Sequence, residues 1–376
     1  MLKIGIVGYP TFGGSGVVAT ELGKALAEKG HEIHFITYSQ PVRLGSSRKN
    51  IRYHEVNVSE YPLFLYPPYE LVLASKLVEV AKYEKLDLLH VHYAIPHASA
   101  GYMAKQILAE EGIHLPLITT LHGTDITLLG KDASFEPVIS FAINKSDAVT
   151  AVSQSLRLDT YKLFGINREI EVIPNFINFE KMEFPEKEEL RQDYAEEDER
   201  LVVHISNFRP VKRVMDVLSI FAQVKDKVKA KLLMVGDGPE RSRAEMMCRE
   251  HGMCDRVIFL GNVKNPAEVL SLADLFLLPS ESESFGLAAL EAMALGVPVI
   301  STNTGGLPEV NRHGVTGMMS NVGDVEDMAK NAVYLLSDDS RLKKFGEKAR
   351  ERAAEFSIDK VLPMYEKLYS SVLSEV

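Results

Sequence analysis

Short runs of β-branched and apolar residues recur along this chain, many followed across a glycine-containing or polar turn by a helical stretch. That alternation restricts the fold to parallel sheets covered by helices on both faces. Strands are predicted at Lys3 to Val7, Ile33 to Thr37, Tyr53 to Val58, Leu86 to Val91, Leu117 to Leu121 and Ala148 to Val152. Helices are predicted at Val17 to Lys29, Glu70 to Glu84, His97 to Glu111 and Gln154 to Phe164, the first stopped by Gly30 in the position that tolerates a left-handed backbone. The series breaks between Ile173 and Asp198, where Pro174 and Pro185 punctuate the chain and Glu183 to Arg200 is dense in charge. This reads as a connection between domains carrying a surface helix.

A second series follows. Its strands are predicted at Leu201 to Ile205, Lys231 to Val235, Val257 to Leu260, Leu275 to Leu278 and Val297 to Ser301, with helices at Val211 to Asp226, Pro239 to His251, Ala267 to Ala273 and Phe285 to Leu295. From Val325 onward the pattern is almost wholly helical. The 376 residues accommodate two domains of the usual ~150 residues. The expected architecture is two doubly wound, Rossmann-like α/β domains, 1–168 and 169–376, with the C-terminal helix (about 361–376) packing back on the first. Open parallel sheets bind ligands at the carboxyl ends of their strands. Two such domains facing across a cleft would therefore place the chemistry between them.

Composition narrows the function. A net charge of −10 argues against a nucleic-acid partner, which needs a basic face, so an anionic ligand must be held by local cations. The two cysteines, Cys248 and Cys254, are too few for a disulfide scaffold or a zinc site and favour a reducing, cytoplasmic setting. The apolar opening Met1 to Val7 is interrupted by Gly5 and followed by Gly8 and Pro10, without a cleavage-site pattern, and no apolar run reaches ~18 residues. Neither a targeting signal nor a stable membrane association is expected.

The loop Gly8-Tyr9-Pro10-Thr11-Phe12-Gly13-Gly14-Ser15-Gly16 approaches G-x-x-x-x-G-K-[ST], but Gly14 stands where the lysine belongs. Nucleotide hydrolysis and dinucleotide binding both weaken. What remains is a turn into a helix N-terminus, able to offer N–H groups and the Ser15 hydroxyl to an anion. His90, His92 and Tyr93 end one strand and His122, Gly123, Thr124 and Asp125 follow another, so they can share the end of the sheet with that loop. His90-x-His92 lacks an evident third metal ligand. In the second series Arg209, Lys212 and Arg213 lie between a strand and a helix and suit a diphosphate, since cations at a helix N-terminus want an anion beside them. Gly236-Asp237-Gly238 makes a second glycine turn. In Glu283-Ser284-Phe285-Gly286-Leu287, Ser284 is placed to cap a helix whose first N–H groups can receive phosphate oxygens, and Glu291 lies two turns on.

Taken together these residues resemble the retaining glycosyltransferases of family 4, which have the GT-B fold. The marks are Glu283 and Glu291 at E-x-x-x-x-x-x-x-E, Val235 to Pro239, the glycine loop, His122, and Gly305-Gly306-Leu307-Pro308-Glu309. Within the family, Gly13 to Gly16, His92 to His97, Thr119 to Asp125 and Ser206 to Arg213 are similar to members acting in the first step of bacillithiol biosynthesis. That resemblance implies UDP-N-acetylglucosamine as donor, L-malate as acceptor, retention of the α-anomer, and no metal or other cofactor. It also implies roles. Lys212 and Arg209 neutralise the diphosphate, with Arg209 replacing the arginine of a glycine–arginine pair where this chain has Ser206 and Asn207. Gly236, Asp237, Gly238, Ser284, Phe285, Gly286 and Leu287 line the donor, Glu283 meets sugar hydroxyls, and Glu291 the ribose. His122 contacts the transferring sugar, while Gly14, Ser15, Gly16, Tyr93 and Thr124 hold the acceptor. Another small acceptor, or a sugar-nucleotide-binding regulator without turnover, stays open at this point, as does a homo-oligomer.

Overall fold

The structure, a computed structural model, describes residues 1–374 except 12, 46–48, 59–65, 129, 131, 183, 185 and 186. Phe12 of the glycine loop and Glu183 and Pro185 of the connection therefore lie outside the described residues. Two compact units emerge, Met1–Asn175 together with Ile358–Val376, and Phe176–Ser357.

The first unit runs β1 (Lys3–Val7), α1 (Ser15–Glu28), β2 (Glu32–Thr37), β3 (Ile51–Glu55), α2 (Tyr69–Glu84), β4 (Leu88–His92), α3 (Ser99–Glu110), β5 (Leu117–Leu121), α4 (Glu136–Lys145), β6 (Ala148–Ala151), α5 (Gln154–Leu163) and β7 (Ile170–Val172). Its strands form one sheet in the order β3-β2-β1-β4-β5-β6-β7, parallel throughout. The second unit runs α6 (Lys187–Gln192), β8 (Arg200–Ile205), α7 (Val214–Lys225), β9 (Ala230–Val235), α8 (Arg241–Glu250), β10 (Val257–Gly261), α9 (Pro266–Ser271), β11 (Leu275–Leu278), α10 (Leu287–Ala294), β12 (Val299–Thr302), α11 (Leu307–Val310), β13 (Gly317–Ser320), α12 (Val325–Leu336) and α13 (Asp339–Ala353). Here the order is β10-β9-β8-β11-β12-β13, again parallel. The last helix, α14 (Ile358–Ser374), belongs with the first unit and packs on α1.

Burial explains the strand composition. The central strands β4, β5, β11 and β12 are buried at every position, as a sheet covered on both faces requires. Edge strand β3 carries Arg52, His54 and Glu55 with a mixed pattern of exposure. In the first unit Leu73, Leu77 and Val80 of α2 pack with Leu89, Val91 and Leu117 of the sheet. In the second, Val217 and Phe221 of α7 and Leu335 of α12 close over Val202 and Leu232.

Three details depart from the sequence reading. The first unit extends past 168 because Ile170–Val172 adds β7 to the sheet. The helix expected from Val211 starts at Val214, because Pro210–Lys212 forms a 3-10 turn and Arg213 turns left-handed at φ 51°. The helix expected from Phe285 starts at Leu287, and Gly286 at φ 92°, rather than Ser284, is its N-cap.

Candidate active site

In each sheet the chain order reverses once, between β1 and β4 and between β8 and β11, so a crevice opens at the carboxyl ends of those pairs. The residues singled out from the sequence gather at these two places.

At the first, Gly14 (φ 59°) is the N-cap of α1 and supplies no side chain, leaving the helix start without a side-chain cap. Gly13 and Gly14 have open space where a Cβ would project, whereas a Cβ on Gly16 would sit 2.4 Å from the Tyr9 carbonyl oxygen. Ser15 Oγ and Tyr93 Oη are 2.6 Å apart, joining the loop after β1 to the loop after β4. Burial pushes the Tyr93 phenol up to about 12, and Thr124, exposed at the turn after β5, lies beside the same side chain. Thus Ser15, Tyr93 and Thr124 meet at one hydroxyl cluster beside an open helix N-terminus.

Beneath it lies a histidine layer. His92 Nδ1 is 2.7 Å from His122 Nε2, with the rings stacked at 5.0 Å. Both nitrogens of His90 are taken, Nδ1 by the Tyr369 hydroxyl of α14 and Nε2 by Thr120, each at 2.7 Å, which leaves His90 no lone pair for a metal. Asp125 is buried and accepts N–H bonds from Ala94 (2.8 Å) and Gly123 (3.2 Å), pinning the turns after β4 and β5 to one another. Asp125 stands in the Thr119 to Asp125 string, where sequence pattern alone assigns it no role. A carboxylate two residues beyond Gly123, in the turn that follows β5, is the available signal.

These groups fix how the first unit responds to pH. Burial holds His90, His97 and His122 down to about 3, 4 and 3, below the 6.5 of a solvated imidazole. Their contribution is complete above pH 6.5 and is lost as the pH falls, because the unfolded chain takes up these protons first. Burial raises Asp125 from 3.8 to about 6, which acts the other way: between those values the folded chain holds a proton that the unfolded chain has released. Three histidines outweigh one carboxyl, and buried His92 and His34 are lowered as well, so stability should fall between pH 6.5 and 5, these four groups alone contributing up to roughly 3 kcal/mol per unit. Urea midpoints at pH 7.5, 6.5 and 5.5 measure this, and a flat series would show that the histidines protonate within the fold.

At the second crevice Lys212 Nζ lies 2.6 Å from Glu283 Oε1, joining the loop after β8 to the loop after β11. Ser280 donates to the same oxygen at 2.8 Å, so the carboxylate is held from two sides. Arg209 is exposed at the mouth of the loop. Ser206, in the position of the family's glycine–arginine pair, is within 2.8 Å of His204 Nε2, whose Nδ1 donates to the Leu277 carbonyl. Main chain approaches main chain closely here. A Cβ on Gly236 would fall 1.8 Å from the Ser206 carbonyl oxygen, and one on Gly305 2.0 Å from that of Glu283. Asp237 accepts from the Gly238 N–H at 2.7 Å. Phe285 is buried, Ser284 half-buried, and Gly286 leaves the start of α10 without a side-chain cap; Leu287 begins the helix and Glu291 sits half-buried within it. Sequence reasoning missed Ser280 and His204, which orient Glu283 and Ser206.

A family model described as Glycosyltransferase Family 4 matches residues 12–181, and one described as Glycosyl transferases group 1 matches residues 186–352. The chain is 52% identical to N-acetyl-alpha-D-glucosaminyl L-malate synthase from Bacillus anthracis, over 100% of this chain and 98% of that protein. Among solved structures, sucrose-phosphate synthase from Thermosynechococcus elongatus superposes with a TM-score of 0.84 at 23% identity, covering 100% of both chains. Anabaena HepE in complex with UDP and glucose also gives 0.84, at 21% identity, covering 99% of this chain and 100% of that one. These last two likenesses speak to the fold, the GT-B arrangement of two parallel-sheet domains.

Proposed function

The chain belongs to glycosyltransferase family 4, and we propose that it transfers N-acetylglucosamine from UDP-N-acetylglucosamine to the hydroxyl of L-malate with retention, the first step of bacillithiol biosynthesis. The observation that carries this reading is the end-to-end identity of 52% to the Bacillus anthracis synthase. It is supported by two sets of loop residues at the two switch points, one rich in hydroxyls and open N–H groups, the other holding a lysine–glutamate pair. The second unit takes the donor and the first the acceptor. No helix is long and apolar enough to cross a membrane among the described residues, and cytoplasmic substrates suit such a reaction.

The chemistry follows from charge. As the bond to the anomeric carbon breaks, negative charge grows on the departing diphosphate. Lys212, Arg209 and the uncapped N–H groups of α10 are the donors that meet it, an electrostatic service that asks for no metal in this step. Glu283 shares Lys212 before the donor arrives, and its carboxylate is then available to sugar hydroxyls. Neutral His122 suits a sugar hydroxyl as a hydrogen-bond partner. A double displacement needs a carboxylate presented to the far face of the sugar. Asp125 is spent on two backbone N–H bonds and is buried, so it presents none. Attack on the leaving-group face, with the departing phosphate oxygen taking the malate proton, needs no such carboxylate and is the step we favour.

Mass spectrometry of products from UDP-N-acetylglucosamine and a panel of small hydroxy acids tests the whole reading. Turnover with another acid but none with malate would reject it. For the acceptor site, Ser15→Ala and Tyr93→Phe should each raise the KM for malate roughly 10- to 150-fold, the equivalent of about 1.5–3 kcal/mol for a hydrogen bond to a charged group. Because the two hydroxyls also bond each other, the double variant should fall short of the product of the single effects. The KM for the sugar nucleotide should scarcely move. A rise in that constant with malate unchanged would place the acceptor elsewhere.

A further inference from the structure

At the outer edge of the first sheet, a cluster that the transfer chemistry leaves unused joins three elements. His34 of β2 is buried, and its Nδ1 lies 2.9 Å from Nε2 of His54 on β3, the rings stacked at 5.2 Å and 15°. Glu84 at the end of α2 completes the group: one ligand atom from each of His34, His54 and Glu84 lies within 4.8 Å of the others. The carbonyl of Glu84 accepts from Lys3, the first residue of β1, while His34 is in register with Gly5 of β1 and His54 with Ile36 of β2, so the cluster lies along the β2–β3 edge and away from the β1–β4 switch point. Ser15, Tyr93 and His122 sit at the carboxyl ends.

We propose that His34, His54 and Glu84 form a binding site for a divalent cation of the zinc class, with the fourth position open to water, that fastens edge strand β3 to β2 and α2. Two imidazoles and one carboxylate are a donor set that zinc takes in three-ligand sites. Bonds of 2.0–2.1 Å in a tetrahedron separate neighbouring ligand atoms by about 3.3 Å. The two histidine nitrogens therefore open by only about 0.4 Å to admit the ion, a movement available to an edge strand. A carboxylate for the outer shell lies close by. Nε2 of His34, with no hydrogen bond among the described residues, faces Glu32 Oε1 at 3.3 Å, where a ligating histidine places its supporting carboxylate. A surface pocket of about 600 Å³, lined by His54, Glu79, Val80, Tyr83 and Glu84, gives an entry path.

Charge around the cluster is mixed. Glu32, Glu79 and Glu84 face it, against Arg52, Lys76 and Lys3. Arg52 pairs with Glu32 at 2.9 Å and Glu84 at 3.4 Å, and its side chain is 56% exposed, so it can swing into water when a cation takes its place. Burial keeps His34 at about 4 and lowers His54, which leaves both imidazoles in the neutral form that ligates.

The test uses the full chain stripped with chelator, then titrated with Zn²⁺ by calorimetry and with Co²⁺ by visible absorption. One ion per chain, tetrahedral Co²⁺ bands, and a thermal midpoint that rises with Zn²⁺ are expected. His54→Gln and Glu84→Gln, at half-buried positions, should each weaken binding by more than about 100-fold, since loss of an outer-shell partner alone costs 10- to 100-fold. Both variants should lose the rise in midpoint while keeping the circular dichroism of the parent. Absence of saturable one-to-one binding overturns the site, and so does parental affinity in both variants.

Discussion

Lys212→Ala is expected to lower kcat roughly 10²- to 10³-fold, the scale on which one preorganised charge partner of a transition state acts. The structure sharpens the reason. Lys212 is half-buried and already bound to Glu283 at 2.6 Å, so its position is set before substrate arrives. Removing it also leaves the Glu283 carboxylate facing a dianionic leaving group without compensation. A Lys212→Ala/Glu283→Gln double variant separates the two contributions: recovery toward parental turnover would assign the loss to repulsion by Glu283 rather than to the missing cation. Arg209→Ala should cost less, because the side chain stands exposed at the mouth of the loop, where water screens it. Steady-state rates on variants with parental circular dichroism measure all three. Turnover close to parental in Lys212→Ala would remove the lysine from the reaction.

Gly236→Ala should be the most damaging single methyl in the second unit. The residue has φ 115°, a region that costs an L-residue about 1–3 kcal/mol, and its Cβ would fall 1.8 Å from a backbone oxygen, that of Ser206. Backbone cannot yield as a flexible side chain does, so a similar overpacking cost adds to the strain. Together these predict a thermal midpoint lower by roughly 5–20 °C for a unit of this size. They also predict weakened UDP binding, because the Ser206 to Lys212 loop is the part that must move. Gly13→Ala is the control: nothing stands within 4 Å of its Cβ and its φ is not positive, so stability should change by less than about 0.5 kcal/mol. Calorimetry on the two variants compares them, and an unshifted midpoint for Gly236→Ala would mean that the loop has room to relax.

The sequence made the sheets readable because a parallel strand covered on both faces is built mostly from apolar and β-branched residues, as in Leu117–Leu121 and Leu275–Leu278. Short elements escaped it. Ile170–Val172 and Gly317–Ser320 are too brief to carry a period, and they become strands only by hydrogen bonding to β6 and β12. Helix starts were misread at Val211 and Phe285 for a related reason. Apolar pattern and capping chemistry both favoured an earlier start, whereas the left-handed turns at Arg213 and Gly286 are imposed by the loops they close.

The candidate site shows the same division. Glycine turns at strand ends, the lysine and the glutamates declare themselves in one dimension, since residue type and local spacing suffice to mark an anion-binding loop. Which of them touch is a matter of crossover geometry. Ser15 meets Tyr93 across 78 positions, Lys212 meets Glu283 across 71, and His90 meets Tyr369 of the last helix across 279. Local order is written by backbone sterics and the periodicity of burial, both of which act within a few residues. The pairing of distant loops, the assignment of α14 to the first unit and the gathering of His34, His54 and Glu84 depend on how strands are ordered in a closed core, and that ordering exists only once the sheet has formed.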